Sequence, residues 1–576
     1  MRKKKIKKIN RRTALIFVIM SVFFLLFAKL VYVQIILHGK INRTVDKMIN
    51  RENVETPKRG DILDFNRKIL ATSIKKYTVF LDPKVIKDFN RVKTVLANNG
   101  IKIKEKQLSD FGNTSYVPIA FNINVDIVDK IKKEQLKGIG FGTKYVRQYP
   151  EGRLLAHILG ITDSDGNGLE GIEKIYNEPL SGNTIMTKIR RDGYGRIIQD
   201  KLVNQSKTRG QNVELSIDRT IQFITEEELR KVFEKYKAKK AVCIVQDPKD
   251  GKILAMVSLP DFDCSGKIKD ISILRNAAIS DVYEPGSTFK IVTVAAALET
   301  KKVKLSDTFY LENGKFKIAG HTIRDDHKIQ GSASLSKSME MSSNIGMVKI
   351  AQKLGSENFY EYIRKFGFYS LTGIDLPGEE RGLLMDVERW NALTLPTVSF
   401  GQGIGVTALQ IINAYSAIAN DGILTKPCVI KKIEKLNADG ETEMDGNILE
   451  SREIRRVVST ETAHAIKKIL KNTVELGTGK SAKINGYTVG GKTGTAQKVD
   501  PATKTYSTKH YTASFCGMVP AMNPAFVILV VVDEPKGSSY YAASVASPVF
   551  ANIARRTAEY LGIEKDDVTQ AVFKHK

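Results

Sequence analysis

The sequence predicts an α+β fold: a chain held to a membrane by one N-terminal helix, with a C-terminal half built around an antiparallel sheet. Three observations predict it. A basic head leads directly into an apolar run of membrane-spanning length. Strand-like apolar runs stand at both ends of the C-terminal half. Helical runs fill the chain between them. Strands at the two ends with helices between them point to a central sheet flanked by helices. At 576 residues the chain is too long for a single core, so several domains are expected.

The anchor comes first. Arg2, Lys3, Lys4, Lys5, Lys7, Lys8, Arg11 and Arg12 form the head, and the run Thr13 to Ala28 resumes after Lys29 through Val33. About 20 helical residues cross a hydrocarbon core of ~30 Å. The run reaches that length if Lys29 extends its ammonium toward the outer interface. The head then stays cytoplasmic and everything after the helix lies outside. A small-residue cleavage site is missing after the run, which favours an uncleaved anchor over a signal peptide. The expected organisation is a basic tail at 1–12, an anchor at 13–35, a spacer or interaction module at 36–212, a connection at 213–238, the sheet domain at 239–562 and a tail at 563–576.

The charge balance is 90 Lys and Arg against 63 Asp and Glu, a net +27. Such a chain suits an anionic envelope, and no DNA-reading motif accompanies the charge, so nucleic acid is not an expected partner. The four cysteines contain no C-x-x-C pair, and Cys243 and Cys516 sit in strand-like apolar runs as small buried hydrophobes. The seven histidines are scattered, and neither a metal nor a cofactor is expected.

In the sheet domain, Ala241 to Gln246, a turn at Asp247–Gly251 and Lys252 to Ser258 read as a hairpin. Tyr511 to Val519 and Phe526 to Asp533 read as two more strands, followed by a helix from about Ser544 to Leu561. Ile291–Leu298 and Ala408–Ala419 read as buried helices.

The chemistry lies at three points. Pro285 and Gly286 open a helix that carries Ser287 and Lys290 at i and i+3, on one face. A serine hydroxyl needs a base, and a lysine can be one where burial depresses its pKa. The helix N-terminus adds N–H groups where an oxyanion would form. Next, Ser342 and Asn344 sit in a segment between helical runs, from which both can enter one site. Finally, Gly490 to Ala496 offers Lys492 as a cation and Thr493 and Thr495 as hydroxyls for a carboxylate. Its glycines are expected to let a strand edge approach a ligand backbone.

The order S-x-x-K, S-x-N, K-T-G, over about 200 residues, resembles the penicillin-recognising serine enzymes. Arg59-Gly60-Asp61-Ile62, Tyr149-Pro150, Ala156 to Gly160, Gly168 to Gly171, Ser399 to Gly403 and Asp533-Glu534-Pro535 extend the resemblance to nearly the full length. The chain is similar to class B penicillin-binding proteins, and its stretch Tyr540–Ile553 is similar to the cell-division type. One departure stands out: after Asp64 the family usually continues Arg-Asn-Gly, and here Phe65-Asn66-Arg67 follows.

The resemblance implies an elongated pedestal at 36–212 and a D,D-transpeptidase that cross-links peptidoglycan stem peptides ending in D-Ala-D-Ala. It implies that Ser287 attacks, Lys290 takes its proton, Ser342 relays a proton to the leaving amine and Asn344 positions the lysine and the donor amide. Lys492, Thr493, Gly494 and Thr495 would hold the terminal carboxylate, and the N–H groups of Ser287 and Thr495 the oxyanion, at ~3 kcal/mol per donor. β-Lactams are the implied inhibitors, and a membrane-embedded glycosyltransferase and division-complex proteins the implied partners. No glycosyltransferase-sized region separates anchor and pedestal, which speaks against a bifunctional enzyme.

Rival readings remain. Gly486 to Thr493 also fits G-x-x-x-x-G-K-T, but a phosphate loop must lead into a helix, and Gly494-Thr495-Ala496 with a polar stretch to about His510 follows. A β-lactam sensor or hydrolase would share the serine chemistry, and an inactive division scaffold would share the architecture.

Overall fold

The computed structural model describes residues 10–40, 42, 50–55, 57–104, 116–183, 185–191, 197–199, 209–437, 453–500, 502–503 and 505–567. Most of the basic head, Met1 to Ile9, and the end of the C-terminal tail lie outside the described residues. The chain divides into two compact units. One holds helix α1 (Arg11–Val31), continued by a π-helical turn Tyr32–Ile36, and the strands Asn50–Glu55, Ile185–Arg191 and Ile197–Gln199. Its first two strands pair antiparallel. Arg11–Ile36 is long and apolar enough to cross a membrane, and none of it is buried against protein. With the π-turn the helix runs to Ile36, 26 residues in all.

The second unit comprises residues 58–182 and 209 onward. Its first sheet uses β1 (Ile62–Leu63), β2 (Ile69–Leu81), β3 (Val117–Ile123), β4 (Ile139–Gln148) and β5 (Val213–Leu215). Long β2 pairs with β1 and β3 on one side and with β4 on the other. At the centre of this pedestal region Glu173, fully buried, accepts from Arg59 Nε and Arg147 Nε, each at 2.6 Å. Arg59 also donates to Asn177 Oδ1 and Ser181 Oγ, and Arg147 Nη1 to the Gly60 carbonyl. Paired on both oxygens, the carboxylate tolerates burial.

The departure from the family pattern has a geometry. Asp64 accepts from the N–H groups of Asn66, Lys68 and Arg219, which closes a tight turn. Arg67 lies in that turn at φ +64°, where the family pattern has glycine. An L side chain pays for this conformation. Its pairing with Glu214 at 3.5 Å, largely exposed on the arginine side, offsets little. Lys431 lies over the Phe65 ring, 4.1 Å from its centroid, and donates to the Phe65 carbonyl.

The sheet of the C-terminal half is antiparallel throughout. Its strands β6 (Lys240–Gln246), β7 (Ile253–Leu259), β9 (Gly490–Val499), β10 (Tyr506–Val519) and β11 (Phe526–Asp533) run in the order β7-β6-β11-β10-β9. Cys243, Val245, Phe515 and Val530 face one core, under α2 (Arg219–Lys235) and α7 (Ser547–Tyr560). Ile244, Met256, Cys516 and Leu529 face the other, under α6 (Ala408–Ala419). Burial on both faces explains why these strands read as unbroken apolar runs. Strand β10 starts at Tyr506 rather than the expected Tyr511, so the polar connection after β9 is short. Strand β8 (Ile430–Ile433), from within the catalytic stretch, pairs with β5 in the pedestal sheet.

Candidate active site

Ser287 sits on a 3-10 turn, Gly286–Phe289, that feeds α3 (Lys290–Glu299). The expected helix start is thus a tighter turn, and the α-helix proper begins at Lys290. Gly286 has φ +54°, and its N–H donates to the Gly401 carbonyl at 3.0 Å. Tyr415 Oη donates to the Thr288 carbonyl, and Thr293 Oγ1 to the Ser399 carbonyl. The Ser399–Gly403 segment and α6 therefore hold the serine turn from behind. Of the helix itself, Lys290 through Ala297 are buried, which fixes the face carrying Ser287 and Lys290.

Ser342 sits in the turn between α4 (Leu335–Glu340) and α5 (Asn344–Leu354), and Asn344 opens α5. Ser342 has φ +59°, a strained conformation for serine, and its Oγ lies 3.0 Å from Ser287 Oγ. Lys290 Nζ contacts the Ser342 carbonyl at 2.7 Å, Asn344 Oδ1 at 2.7 Å and Ser342 Oγ at 3.2 Å. Its hydrogen bonds include none to Ser287, so the serine reaches the amine through the Ser342 hydroxyl. A neutral amine keeps two N–H groups and one lone pair. The two carbonyl-type oxygens can only accept, so they take the N–H groups, and the lone pair is left to accept the Ser342 O–H.

The electrostatics favour that neutral form. Lys290 is fully buried, and burial pushes its pKa down to about 7 against the opposing pull of Asp325 and Asp326. Lys492 is fully buried on β9, where its Nζ contacts the Thr493 carbonyl and hydroxyl. Burial, then the nearby Lys290, hold its pKa well below the ordinary lysine value. Neither lysine forms an ion pair among the described residues.

The third motif holds two surprises. Its glycines leave room for neighbouring parts of the protein. A Cβ on Gly491 would lie 2.5 Å from the Phe515 ring, and one on Gly494 would meet Ser514 Oγ at 2.6 Å and the Pro285 carbonyl at 2.9 Å. Gly494 is what lets the edge strand lie against the serine turn. Thr495 Oγ1 already accepts the Ala542 N–H at 3.1 Å, and Thr493 Oγ1 contacts Thr478 Oγ1. Each hydroxyl is thus oriented by a neighbour. The strand continues to Val499, and no helix follows Lys492, so the phosphate-loop reading fails.

Sequence reasoning missed Asp325. This buried carboxylate accepts from Ser343 Oγ at 2.6 Å, from the Asn344 N–H at 2.6 Å and from the Ile345 N–H at 3.1 Å. The adjacent Arg324 carbonyl accepts from Asn344 Nδ2 at 2.9 Å, which turns Oδ1 of that amide toward Lys290. The only hint was an Asp-Asp pair about 20 residues ahead of the motif, and its use depends on the fold.

The sequence of residues 241–555 matches the family described as penicillin binding protein transpeptidase domain, and residues 54–215 match the penicillin-binding protein dimerisation domain. Stage V sporulation protein D of Bacillus subtilis is 34% identical over 574 residues, covering 97% of this chain and 88% of that one. Peptidoglycan D,D-transpeptidase FtsI of Escherichia coli is 32% identical over 564 residues, covering 96% and 92%. The crystal structure of penicillin binding protein 3 of Mycobacterium tuberculosis, complexed with aztreonam, is 27% identical, has a TM-score of 0.68 and covers 89% of this chain and 98% of its own.

Proposed function

Because the chain belongs to the penicillin-binding protein transpeptidases, serine-type peptidoglycan D,D-transpeptidases, we propose that Ser287 is its nucleophile and that Ser342 and Lys290 form its proton path. The observation that carries this reading is the chain of contacts from Ser287 Oγ through Ser342 Oγ to the buried Lys290 amine. Ser287 Oγ attacks the carbonyl of the penultimate D-Ala of a stem peptide, and its proton passes through the Ser342 hydroxyl to Lys290 Nζ. The C–N bond breaks, and the same path returns the proton to the departing D-Ala amine. An amine of a second stem peptide then attacks the ester and frees Ser287. The N–H groups of Ser287 and Thr495 hold the oxyanion.

Lys492 has a related task. An arriving substrate carboxylate would keep the proton on Lys492 that burial otherwise disfavours, with Thr493, Gly494 and Thr495 lining the same place. The charge on Lys492 would in turn hold Lys290 neutral, as a base must be. β-Lactams are expected to acylate Ser287. In the Ser287→Ala protein, a fluorescent penicillin should leave no covalent label, and the mass of the wild-type chain should rise by one adduct. Retained label in the variant would remove the assignment.

The helix Arg11–Ile36 is proposed as a single-pass anchor with the catalytic unit outside the cell, and α1 and the pedestal as the contacts for a membrane-embedded glycosyltransferase. A septal role is proposed from the likeness of Tyr540–Ile553 to the cell-division type. The likeness to a sporulation protein over 97% of the chain favours a second reading. Depletion separates them: filamentous cells support septal use, and a block confined to sporulation supports the other.

A further inference from the structure

We propose that the outer edge of β4 in the pedestal is a docking site for an extended acidic segment of a partner protein, which adds a strand to the sheet. Among the described residues, strand β4 pairs only with β2. The Asp82 N–H donates to the Gly138 carbonyl at 2.8 Å, and the register carries that hydrogen-bonded phase to Gly140, Gly142 and Lys144. Ile139, Phe141, Thr143, Tyr145 and Arg147 therefore turn their N–H and C=O groups outward, and those groups have no partner among the described residues. Folded proteins usually blunt so long an edge with lysines, proline or a bulge. Here the guards are occupied. Arg147 is turned inward to Glu173, and Lys144 pairs with Asp165 at 3.2 Å.

A cleft of about 740 Å³ lies over the sheet at the second half of β4, lined by Thr78 and Phe121 of the inner strands, by Lys144–Pro150 and by the turn at Thr162–Gly166. Arg147 lines it. The Arg147 side chain is only 3% exposed, and its Nη2 has no acceptor, whereas Nε and Nη1 are both satisfied. A buried guanidinium N–H without an acceptor is costly, and a carboxylate entering the cleft would supply one. Exposed Phe121, on β3, lines the inner side of the cleft.

Charge selects the occupant. Residues 75–148 carry 15 Lys and Arg against 7 Asp and Glu. Two copies brought edge to edge would set two basic lobes against each other, whereas an acidic strand is attracted.

The test uses the full-length protein in detergent and a fluorescein-labelled twelve-residue peptide that alternates Glu with Val and Thr. Anisotropy should report binding that weakens with salt, and hydrogen exchange should slow at the amides of Phe141, Thr143 and Tyr145. Lys144→Glu should weaken binding by at least about tenfold. Thr143→Pro removes an outward N–H and no bond to β2, and should do the same. Penicillin labelling of Ser287 checks that each variant is folded, and Lys144→Glu carries the test if the proline variant is not. Three results would overturn the proposal: exchange at these amides unchanged by the peptide, equal binding of a peptide with Gln for Glu, or edge protection without peptide that grows with protein concentration, which would make a second copy the occupant.

Discussion

The pedestal and the catalytic cleft both bury charge, and they treat it in opposite ways. Around Glu173, two arginines pair with one carboxylate at 2.6 Å, with side-chain exposures of 6%, 3% and 0%. In the cleft, Lys290 and Lys492 are equally buried, and among the described residues neither has a carboxylate in ion-pair range. A paired buried charge fixes geometry, and removing one partner is costly. An unpaired buried amine gives up its proton readily, as a general base requires. The pedestal uses its charges for shape, and the cleft, in the proposed mechanism, keeps Lys290 available for proton transfer.

That contrast can be broken by exchanging the consequences. The largest effect is expected from Lys290→Met. Acylation by penicillin should fall by up to about 10⁴-fold, the upper range for a lost acid–base group. Stability should hold or rise. The folded pKa of Lys290 lies below its unfolded value, so between about pH 7 and that value the unfolded chain binds the extra proton and this group opposes folding. The opposition fades as pH rises toward the unfolded value. Urea unfolding alongside stopped-flow acylation separates the two effects.

Glu173→Gln should do the reverse. It leaves two buried arginines short of charge, and should cost about 3–5 kcal/mol while the folded fraction acylates at the wild-type rate. A loss of rate in that fraction would dissolve the contrast. Next in size is Asp325→Asn, expected to slow acylation by about 10–100-fold through misplacement of the Ser342–Asn344 turn. Wild-type acylation should rise with pH through about 7, as Lys290 loses its proton. Asp325 pulls that pKa up, so the rising limb should move to lower pH in Asp325→Asn. An unmoved limb would show that Asp325 serves the turn alone. The smallest effect is Arg67→Gly, which should stabilise the pedestal turn by about 0.5–1 kcal/mol, read from the urea midpoint, because glycine takes the positive φ without strain.

What could be read from the sequence was whatever is local. The i, i+3 spacing of Ser287 and Lys290, the apolar runs of β6, β10 and β11, and the membrane-spanning stretch all depend on neighbours a few residues apart. Asp325 escaped because its partners lie 18 to 20 residues away across a turn. Glu173 escaped because Arg59 is 114 residues away. The packing at Gly491 escaped for a related reason: a glycine on a strand edge looks the same in sequence whether or not a ring such as Phe515 fills the space beside it. Strand β8 was invisible because its four residues carry no periodic signal that distinguishes one sheet from another.

Strand β8 also bears on how this protein can be inherited. A segment from deep inside the catalytic stretch is woven into the pedestal sheet beside β5, so the two regions are not beads that recombination can trade with a single crossover. A head borrowed from a relative would arrive with a flank that expects a foreign ribbon. Divergence is therefore expected to proceed by paired substitutions at Ile430, Lys432 and Ile433 with Val213, Glu214 and Leu215, rather than by shuffling of whole modules.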